Sequence, residues 1–493
     1  MTGHGRWLIS LIIIAIVVIT SVLIAMSYRD APGSIPISAI SDGSKGTIIA
    51  WHSGKGIYVQ HINASGQTLW KKGGILLNKG KIKFDPYGPP QIYFTLIGDG
   101  TGGAIIAWAD KSYQPTDRND PKYFDPILFY VQRVSADGEL LWDDSYVSSG
   151  ERWQVVPDGT GGAIIAWNGY KTYYRGLHDD YLHMQKIAPE GRQLWGDEGM
   201  LLVTSSPYRP LTQEEITSGI AGTTTRSRPT YAGTHDIASD GAGGVIVIWE
   251  EEGIQNTYQV FAQRVDSNGN PAWTDRVLVG NGNYRSDSMS GDGSGGASLV
   301  INIDDTGTAF QEHIGYNSEL LETKIYSPDT ISDGLGGIFR IRIEEIPPYG
   351  SPYQKRNILY VQRLAEGGEP LWSEKQVVST QERHQLSHLK YLADGIGGVF
   401  LFWQFQKEGV TYGATFVQRV DGEGNILWGE DGITVFGATD KYQGNAQILS
   451  DGSGGVFVIA VVGNNVFGGD MVYAQRIDAK GNLLWGSGIR IDR

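Results

Sequence analysis

Asp99-Gly100-Thr101-Gly102-Gly103-Ala104-Ile105-Ile106-Ala107-Trp108 decides the fold, because close copies of this stretch recur through the chain. An Asp-Gly-x-Gly-Gly turn begins at Asp42, Asp99, Asp158, Asp240, Asp292, Asp333, Asp394 and Asp451, with Lys45 replacing a glycine in the first copy. Glycines supply the positive φ angles of a tight hairpin. The run after each turn, Ala104–Trp108 or Val245–Trp249, is apolar without alternation, as expected of a strand covered on both faces. A second block answers each turn: Tyr130-Val131-Gln132-Arg133, then Gly138, then Leu141-Trp142. Its Gln-type residues are Gln60, Gln132, Gln185, Gln263, Glu312, Gln362, Gln418 and Gln475, each ten residues before a Trp-type position. Of 14 tryptophans, only Trp7 and Trp153 stand outside two positions, nine after the Asp and ten after the Gln. Each repeat reads as four short strands: A before the Asp turn, B after it, C carrying the Gln, and D ending in Leu-Trp. Eight such repeats predict an all-β chain, an eight-bladed β-propeller over residues 34–493.

Composition agrees. In 493 residues there are 68 glycines and an aromatic content of 11%, suited to short strands and tight turns. A net charge of -14 opposes binding to nucleic acid or to anionic lipid surfaces. The absence of cysteine excludes disulfides, thiolate metal sites and a cysteine nucleophile.

Ahead of the repeats, Trp7 to Met26 contains only Ser10, Thr20 and Ser21 as polar residues. At about 1.5 Å per residue it would span roughly 30 Å of hydrocarbon as a transmembrane helix. It is longer than the apolar core of a signal peptide, about 7–15 residues, and Ala25-Met26-Ser27 is a poor cleavage site. Residues 1–33 are therefore expected to be a membrane anchor with a short linker. Arg6 and Arg29 balance in the positive-inside count. The expectation adopted is a single-pass protein of the cell membrane with the propeller outside the cytoplasm.

The second block carries a family resemblance. Gln263-Arg264-Val265-Asp266-Ser267-Asn268-Gly269-Asn270-Pro271-Ala272-Trp273, with Gly at the seventh place and Trp at the eleventh, resembles the tryptophan-docking motif of pyrroloquinoline-quinone-type propeller repeats. The resemblance covers about a dozen residues per repeat, and Gln stands where that motif has Ala. It implies that Trp70, Trp142, Trp195, Trp273, Trp372, Trp428 and Trp485 dock between neighbouring blades. It implies no activity and no cofactor, since the vicinal cysteines and calcium site of the quinone-dependent members have no counterpart here. The whole pattern is also similar to repeats of bacterial and archaeal surface proteins.

The recurring charges read as structural. A basic residue follows the Gln-type position in every repeat (His61, Arg133, Lys186, Arg264, His313, Arg363, Arg419, Arg476) and can reach a turn Asp as a charge-assisted hydrogen bond. The turns lack the closely spaced Asp-x-Asp-x-Asp of a calcium loop. His384 and His388 have helical metal-ligand spacing but precede a strand, so no metal site is expected. No nucleophile elbow, phosphate loop or dinucleotide fingerprint occurs.

Function is expected where the repeats differ. The B–C and D–A connections vary in length, open on one face of a four-stranded blade, and carry the candidate binding residues. The richest group is Tyr173, Tyr174, Arg175, His178, Asp179, Asp180 and His183, suited to stacking on a sugar or holding an ion, with a solvated loop as the plain alternative. Asp110, Glu250 and Glu251, the last two in the run Glu250-Glu251-Glu252, follow strand B and are expected at an acidic rim, with a simply solvated charge run as the plain alternative. The fifth repeat departs from the pattern, with Ile301 and Glu322 at its Trp positions. The expected function is a membrane-anchored extracytoplasmic, non-catalytic scaffold for a protein or glycan ligand. The alternatives are a propeller enzyme acting on polysaccharide with carboxylates from several blades, and a passive surface-layer component.

Overall fold

The computed structural model describes residues 36–493 apart from 54–55, 78–92, 111–127, 143–144, 150, 174–176, 205–230, 253–257, 282, 285–288, 292–294, 303–308, 327–329, 334–336, 347–355, 366–368, 380–383, 408–413, 437–441 and 464–470. The predicted anchor, Trp7 to Met26, lies outside the described residues. Among the described residues there is no helix, and hence none long and apolar enough to cross a membrane.

Eight antiparallel sheets are formed among the described residues, each from one contiguous stretch of chain. The first comprises strands A to D at Ile37–Ser41, Thr47–Ser53, Gly56–Ile62 and Ile75–Leu76. The second comprises Tyr93–Gly98, Ala104–Asp110, Leu128–Val134 and Ser145–Ser149; the third, Glu151–Pro157, Ala163–Tyr173, Leu177–Ile187 and Met200–Thr204. The fourth has Tyr231–Ser239, Val245–Glu252, Tyr258–Val265 and Val277–Asn281. In the fifth, strand A is split into Asn283–Tyr284 and Ser290–Gly291, followed by Ala297–Asn302, Ala309–Ile314 and Leu320–Tyr326. The sixth has Thr330–Ser332, Ile338–Ile346, Arg356–Leu364 and Lys375–Ser379. The seventh has His384–Ala393, Val399–Lys407, Ala414–Val420 and Ile433–Thr434; the eighth, Tyr442–Ser450, Val456–Gly463, Met471–Ile477 and Ile489–Arg490. The order A-B-C-D with sequential pairing is that of a propeller blade.

One element differs from the sequence reading. Leu-Trp does not end strand D but precedes it: Trp70 comes before Ile75–Leu76, and Leu69 donates its N–H to the His61 carbonyl at 2.8 Å. The tryptophan therefore sits at the entry to strand D, beside the C–D turn.

The chain divides into two compact units, Met1–Tyr113 with Gln132–Asp144 and Asp329–Arg493, and Gln114–Val131 with Ser145–Pro328. In the first unit the unbroken apolar character of strand B has a direct cause. Phe400 and Phe402 of the seventh sheet pack with Val456, Val458 and Ala460 of the eighth, whereas Val399, Leu401 and Trp403 pack with Phe339 and Ile341 of the sixth. Phe457, Ile459 and Val461, alternating with the first set, pack with Ile49 and Trp51 of the first sheet. Strand B of the seventh and eighth sheets is thus buried on both faces by the period-2 alternation of its side chains. In the second unit Ile246 and Ile248 of the fourth sheet pack with Ala297 and Leu299 of the fifth.

The tryptophans face opposite neighbours. Strand B residues Trp51, Trp167, Trp249 and Trp403 stack on the strand C aromatic residues Tyr58, His183, Phe261 and Phe416 with ring centroids 5.8, 5.5, 6.2 and 6.0 Å apart. The second set docks onto the C–D turn of the next sheet. The indole N–H of Trp70, Trp372, Trp428 and Trp485 donates to the carbonyl of Ala136, Gly422, Ala479 and Ala64, respectively, at 2.8 to 3.3 Å. In the second unit Trp273 donates to Tyr316 at 2.9 Å. The eighth sheet therefore docks on the first through the same contact as consecutive sheets.

The Gln-type residue explains why Ala was not used at that place. The Oε1 of Gln475 accepts from the N–H of Arg476 at 2.9 Å and of Trp485 at 3.0 Å, while its Nε2 donates to the Gly486 carbonyl at 2.8 Å. Gln60 and Gln418 bind their own strand and their tryptophan in the same way. A buried amide thus satisfies backbone groups freed where the chain turns into strand D, groups that would be costly to leave unpaired.

The turn glycine serves two needs at once. Gly66 has φ +85°, and a Cβ there would fall 2.6 Å from Ile489 Cδ1 and 2.8 Å from Trp485 Cδ1. Gly43 has φ +74° with nothing within 4 Å. Gly66→Ala is expected to add about 1–3 kcal/mol of overpacking to the roughly 1 kcal/mol backbone cost that Gly43→Ala carries alone. The midpoints of urea unfolding of the two variants measure the difference, and equal midpoints would show that the indole does not lie over Gly66.

Candidate functional site

Among the described residues the turn end of seven sheets is chemically committed. Asp99 Oδ1 accepts from Thr101 and Gly103 N–H at 2.8 and 2.9 Å, and Arg133 donates through Nε to Oδ2 at 3.0 Å. The same arrangement joins Asp42 to His61 at 2.8 Å and Arg264 to Asp240 at 2.9 Å. It also joins Asp333, Asp394 and Asp451 to Arg363, Arg419 and Arg476 at 2.7, 2.6 and 2.7 Å. The Lys186 ammonium is farther from Asp158, at 3.6 Å, and donates at 2.6 Å to the Gly243 carbonyl of the next sheet. Arg476 and Arg363 likewise reach the next sheet, at the Ala64 and Gly422 carbonyls. The eighth pair, Asp292 with His313, lies outside this account because Asp292 is outside the described residues. Burial raises the Asp42 and Asp451 carboxyls, but their hydrogen bonds from His61 or Arg476 and from turn N–H groups outweigh it and hold both below the ordinary value.

The opposite end carries buried polar groups that differ between sheets. The residue after the strand B Trp-type position is His52, Asn168, Glu250 or Gln404 in sheets one, three, four and seven, and all four are buried. Gln404 Nε2 donates to the Gln443 carbonyl at 2.7 Å, and Gln443 Oε1 accepts from Thr415 N–H at 3.2 Å. Strand A adds a second row, four residues before each turn Asp. There Gln447 Nε2 donates to the Ile37 carbonyl at 2.8 Å, Gln154 Oε1 accepts from Ile237 N–H at 2.9 Å, and Lys390 donates to Ala446. Burial pushes the Lys390 ammonium down to about 7. Sequence reading missed these rows. Their signal, a polar residue at a fixed offset from an apolar strand, appears only when the repeats are aligned on Asp.

Burial lowers His52 to about 4 and His235 to about 3. For His235 a hydrogen bond to the Ala166 carbonyl opposes the shift and the Arg152 charge adds to it. With folded values depressed, the stability these neutral rings contribute is complete above the unfolded value of 6.5 and is lost as pH falls toward the folded values. Unfolding free energy should therefore decline from about pH 6.5 downward, by on the order of 1.4 kcal/mol per pH unit from His235. The Asp42 and Asp451 contribution is lost in turn below the ordinary Asp value of 3.8. Denaturant titrations at pH 7, 6 and 5 measure this, and His235→Gln should flatten the profile; a flat wild-type profile would contradict the assignment.

The sequence-predicted binding residues fall in several places. Tyr174 and Arg175 are outside the described residues. Tyr173, His178, Asp179 and Asp180 lie on the long B–C hairpin of the third sheet, where the backbone of Tyr173 pairs with Leu177, Thr172 with His178, Lys171 with Asp179 and Tyr170 with Asp180. His183 occupies the strand C aromatic position, stacked on Trp167 and edge-on to Tyr181 at 6.1 Å. Burial lowers its pKa, opposed by Glu198. Asp110 ends strand B of the second sheet.

Glu250 and Glu251 correct the expectation of an exposed acidic rim. Both are buried, at 6% and 4% exposure. Glu251 accepts from the Trp249 indole at 2.9 Å and pairs with Arg276, whose guanidinium lies 4.0 Å from the centre of the Phe261 ring. Its charge is offset within the sheet by the Arg276 guanidinium. His384 and His388 both lie on strand A of the seventh sheet, with a bulge between Ser387 and Lys390 and φ +53° at His388, so no helical ligand face exists. Among the described residues no group of three or more His, Cys, Asp or Glu is placed to hold a metal ion.

The fold and site define a repeat protein of propeller-type blades with a committed turn end and a variable opposite end. No family model matches the chain, and no curated protein matches its sequence. Among solved structures it is similar to the β-propeller domain of the Trilobed protease from Pyrococcus furiosus, with TM-score 0.34 and 12% identity over 63% of this chain and 77% of that one. It is also similar to apo prolyl oligopeptidase B from Galerina marginata, with TM-score 0.35 and 11% identity over 79% of this chain, spanning 50% of that protein's chain. A third is the GH93 α-L-arabinofuranosidase of Fusarium graminearum in complex with arabinobiose, with TM-score 0.30, 9% identity and coverage of 80% and 95%. Likenesses of this strength carry no argument about activity, and the blade assignment rests on strand order and packing.

Proposed function

We propose that the eight sheets close into one propeller ring of the tryptophan-docking type, held outside the cytoplasm by the Trp7 to Met26 segment. In this reading the protein is a non-catalytic binding or assembly scaffold whose B–C and D–A loop end takes a protein or glycan ligand. The observation that carries it is the contrast between the two ends. At the turn end the repeated Asp, basic and Gln residues are spent on the scaffold. At the other end the central hairpin lengthens from strands of 7 residues in the first sheet to 11 in the third. A rigid framework with variation confined to one end is the arrangement of a recognition surface. Glu250 and Glu251 support that surface from within the sheet.

Replacing Tyr173, Tyr174, Arg175, His178, Asp179 and Asp180 together by Ser or Ala is expected to lower capture of the ligand at least about tenfold. Stability should change by no more than about 0.5 kcal/mol per position, the usual size for substitutions away from the core. Glycan arrays and pull-downs with residues 34–493, alongside thermal unfolding, read both quantities. Glycan hydrolysis by the purified protein, lost on replacing two facing carboxylates, would overturn the binding reading.

A further inference from the structure

One turn of the first sheet carries a chemical group that its counterparts lack. Asn63-Ala64-Ser65 is the single Asn-x-Ser/Thr triplet of the chain, and it falls in the C–D turn closed by the bridge between Ile62 and Thr68. Asn63 Oδ1 accepts from the N–H of Ser65 at 3.1 Å, from the N–H of Gln67 at 2.9 Å and from the Ser65 hydroxyl at 3.0 Å. Its Nδ2 donates to Gln67 Oε1 at 3.0 Å in an exposed contact.

The turn itself does not require an amide. In the fourth, seventh and eighth sheets the same place holds Asp266, Asp421 and Asp478. Asp478 Oδ1 accepts from the N–H of Lys480 and of Asn482, both at 2.9 Å, and its Oδ2 accepts from Asn482 Nδ2 at 2.9 Å. Asp266 and Asp421 make the same three bonds. Asn63 thus does the carboxylate's work with its oxygen and adds a nitrogen bearing two hydrogens, of which the bond to Gln67 takes one. Asn63 is half-buried, whereas Ser65 and Gln67 are exposed. The turn is anchored through its backbone, since the Ala64 carbonyl accepts from the Trp485 indole at 3.2 Å and from Arg476 at 3.3 Å.

We propose that Asn63 is a site of asparagine-linked glycosylation. An asparagine with a hydroxyl two residues on is the acceptor pattern for this modification, and it belongs on a surface turn of an exported chain. The inference therefore rests on the placement outside the cytoplasm proposed above. Nδ2 attacks the anomeric carbon of a glycosyl donor activated as a lipid-linked phosphate ester. The C–N bond forms, the C–O bond to phosphate breaks, the phosphate leaves with the electron pair, and Nδ2 loses one proton. The resulting secondary amide keeps its oxygen for the three turn donors and one N–H for Gln67, so the folded turn accommodates the product. A bulky hydrophilic glycan here covers the turn end and leaves the loop end open to its ligand.

Tryptic digestion of the full chain purified from its native cells releases Gly56–Lys71, and mass spectrometry weighs this peptide directly. The wild-type peptide is expected to carry an added mass of linked sugar residues. N63D and S65A should lose that increment, and S65T should keep it. N63D should also keep the wild-type midpoint of urea unfolding, because a carboxylate serves this turn elsewhere, so loss of the sugar does not reflect misfolding. An unmodified wild-type peptide, or an increment that survives in both N63D and S65A, overturns the site. The absence of cysteine separates this from the placement itself. S453C, exposed in the Asp turn of the eighth sheet, is treated in intact cells with a membrane-impermeant maleimide. Labelled S453C with an unmodified Gly56–Lys71 overturns the site alone, whereas unlabelled S453C with an unmodified peptide overturns the placement as well.

Discussion

Trp273→Ala is expected to destabilise the protein by about 3–5 kcal/mol, the cost of truncating a large aromatic residue in a packed interior. The side chain is only 6% exposed and packs with Ala238, Ile246 and Val279 of its own sheet and Ala297, Leu299 and Ile314 of the fifth. Its indole N–H also donates to the Tyr316 carbonyl, so truncation removes a hydrogen bond between sheets as well as apolar contact. Trp273→Phe keeps most of the buried surface and should cost about 1–2 kcal/mol less than Ala. Urea unfolding of the three proteins measures the series. A midpoint unchanged in Trp273→Ala would show that the side chain does not hold the two sheets together.

Arg419→Ala should be of similar size for a different reason. The guanidinium grips Asp394 Oδ2 through Nη2 at 2.6 Å and Nε at 3.0 Å, with side-chain exposures of 7% and 0%. Removing it leaves a buried carboxylate with only the N–H donors of Ile396 and Gly398. Breaking a buried pair in this way costs about 3–5 kcal/mol. Arg342 provides the control. It occupies the strand B tryptophan position of the sixth sheet, lies 4.1 Å from the centre of the Tyr360 ring and pairs with Glu374 at 2.7 Å. Its side chain is 42% exposed, so Arg342→Ala should cost no more than about 1 kcal/mol. Equal losses in the two variants would contradict the burial-based account.

The scaffold was legible in the sequence because the repeat writes each structural need eight times. The fixed offsets from Asp to tryptophan and from Gln to tryptophan follow from strands of constant length between constant turns. The role of the basic residues was legible for the same reason. The place of Leu-Trp before strand D was not, since the bridge between Ile62 and Thr68 that closes the C–D turn leaves no pattern distinct from a strand. The fate of Glu251 was also hidden. A run of three glutamates reads as solvated, and only the fold brings Arg276 and the Trp249 indole to it. The polar row containing Gln154, Lys390 and Gln447 was obscured by its variety: an amide or an ammonium can each reach the neighbouring strand.

The most direct test of the account is a crystal structure of residues 34–493. It is expected to show one closed ring of eight four-stranded blades, with Trp485 docked on the Ala64 carbonyl and each turn Asp held by its strand C basic residue. Seven blades, two separate rings, or a Trp485 indole turned to solvent would contradict it.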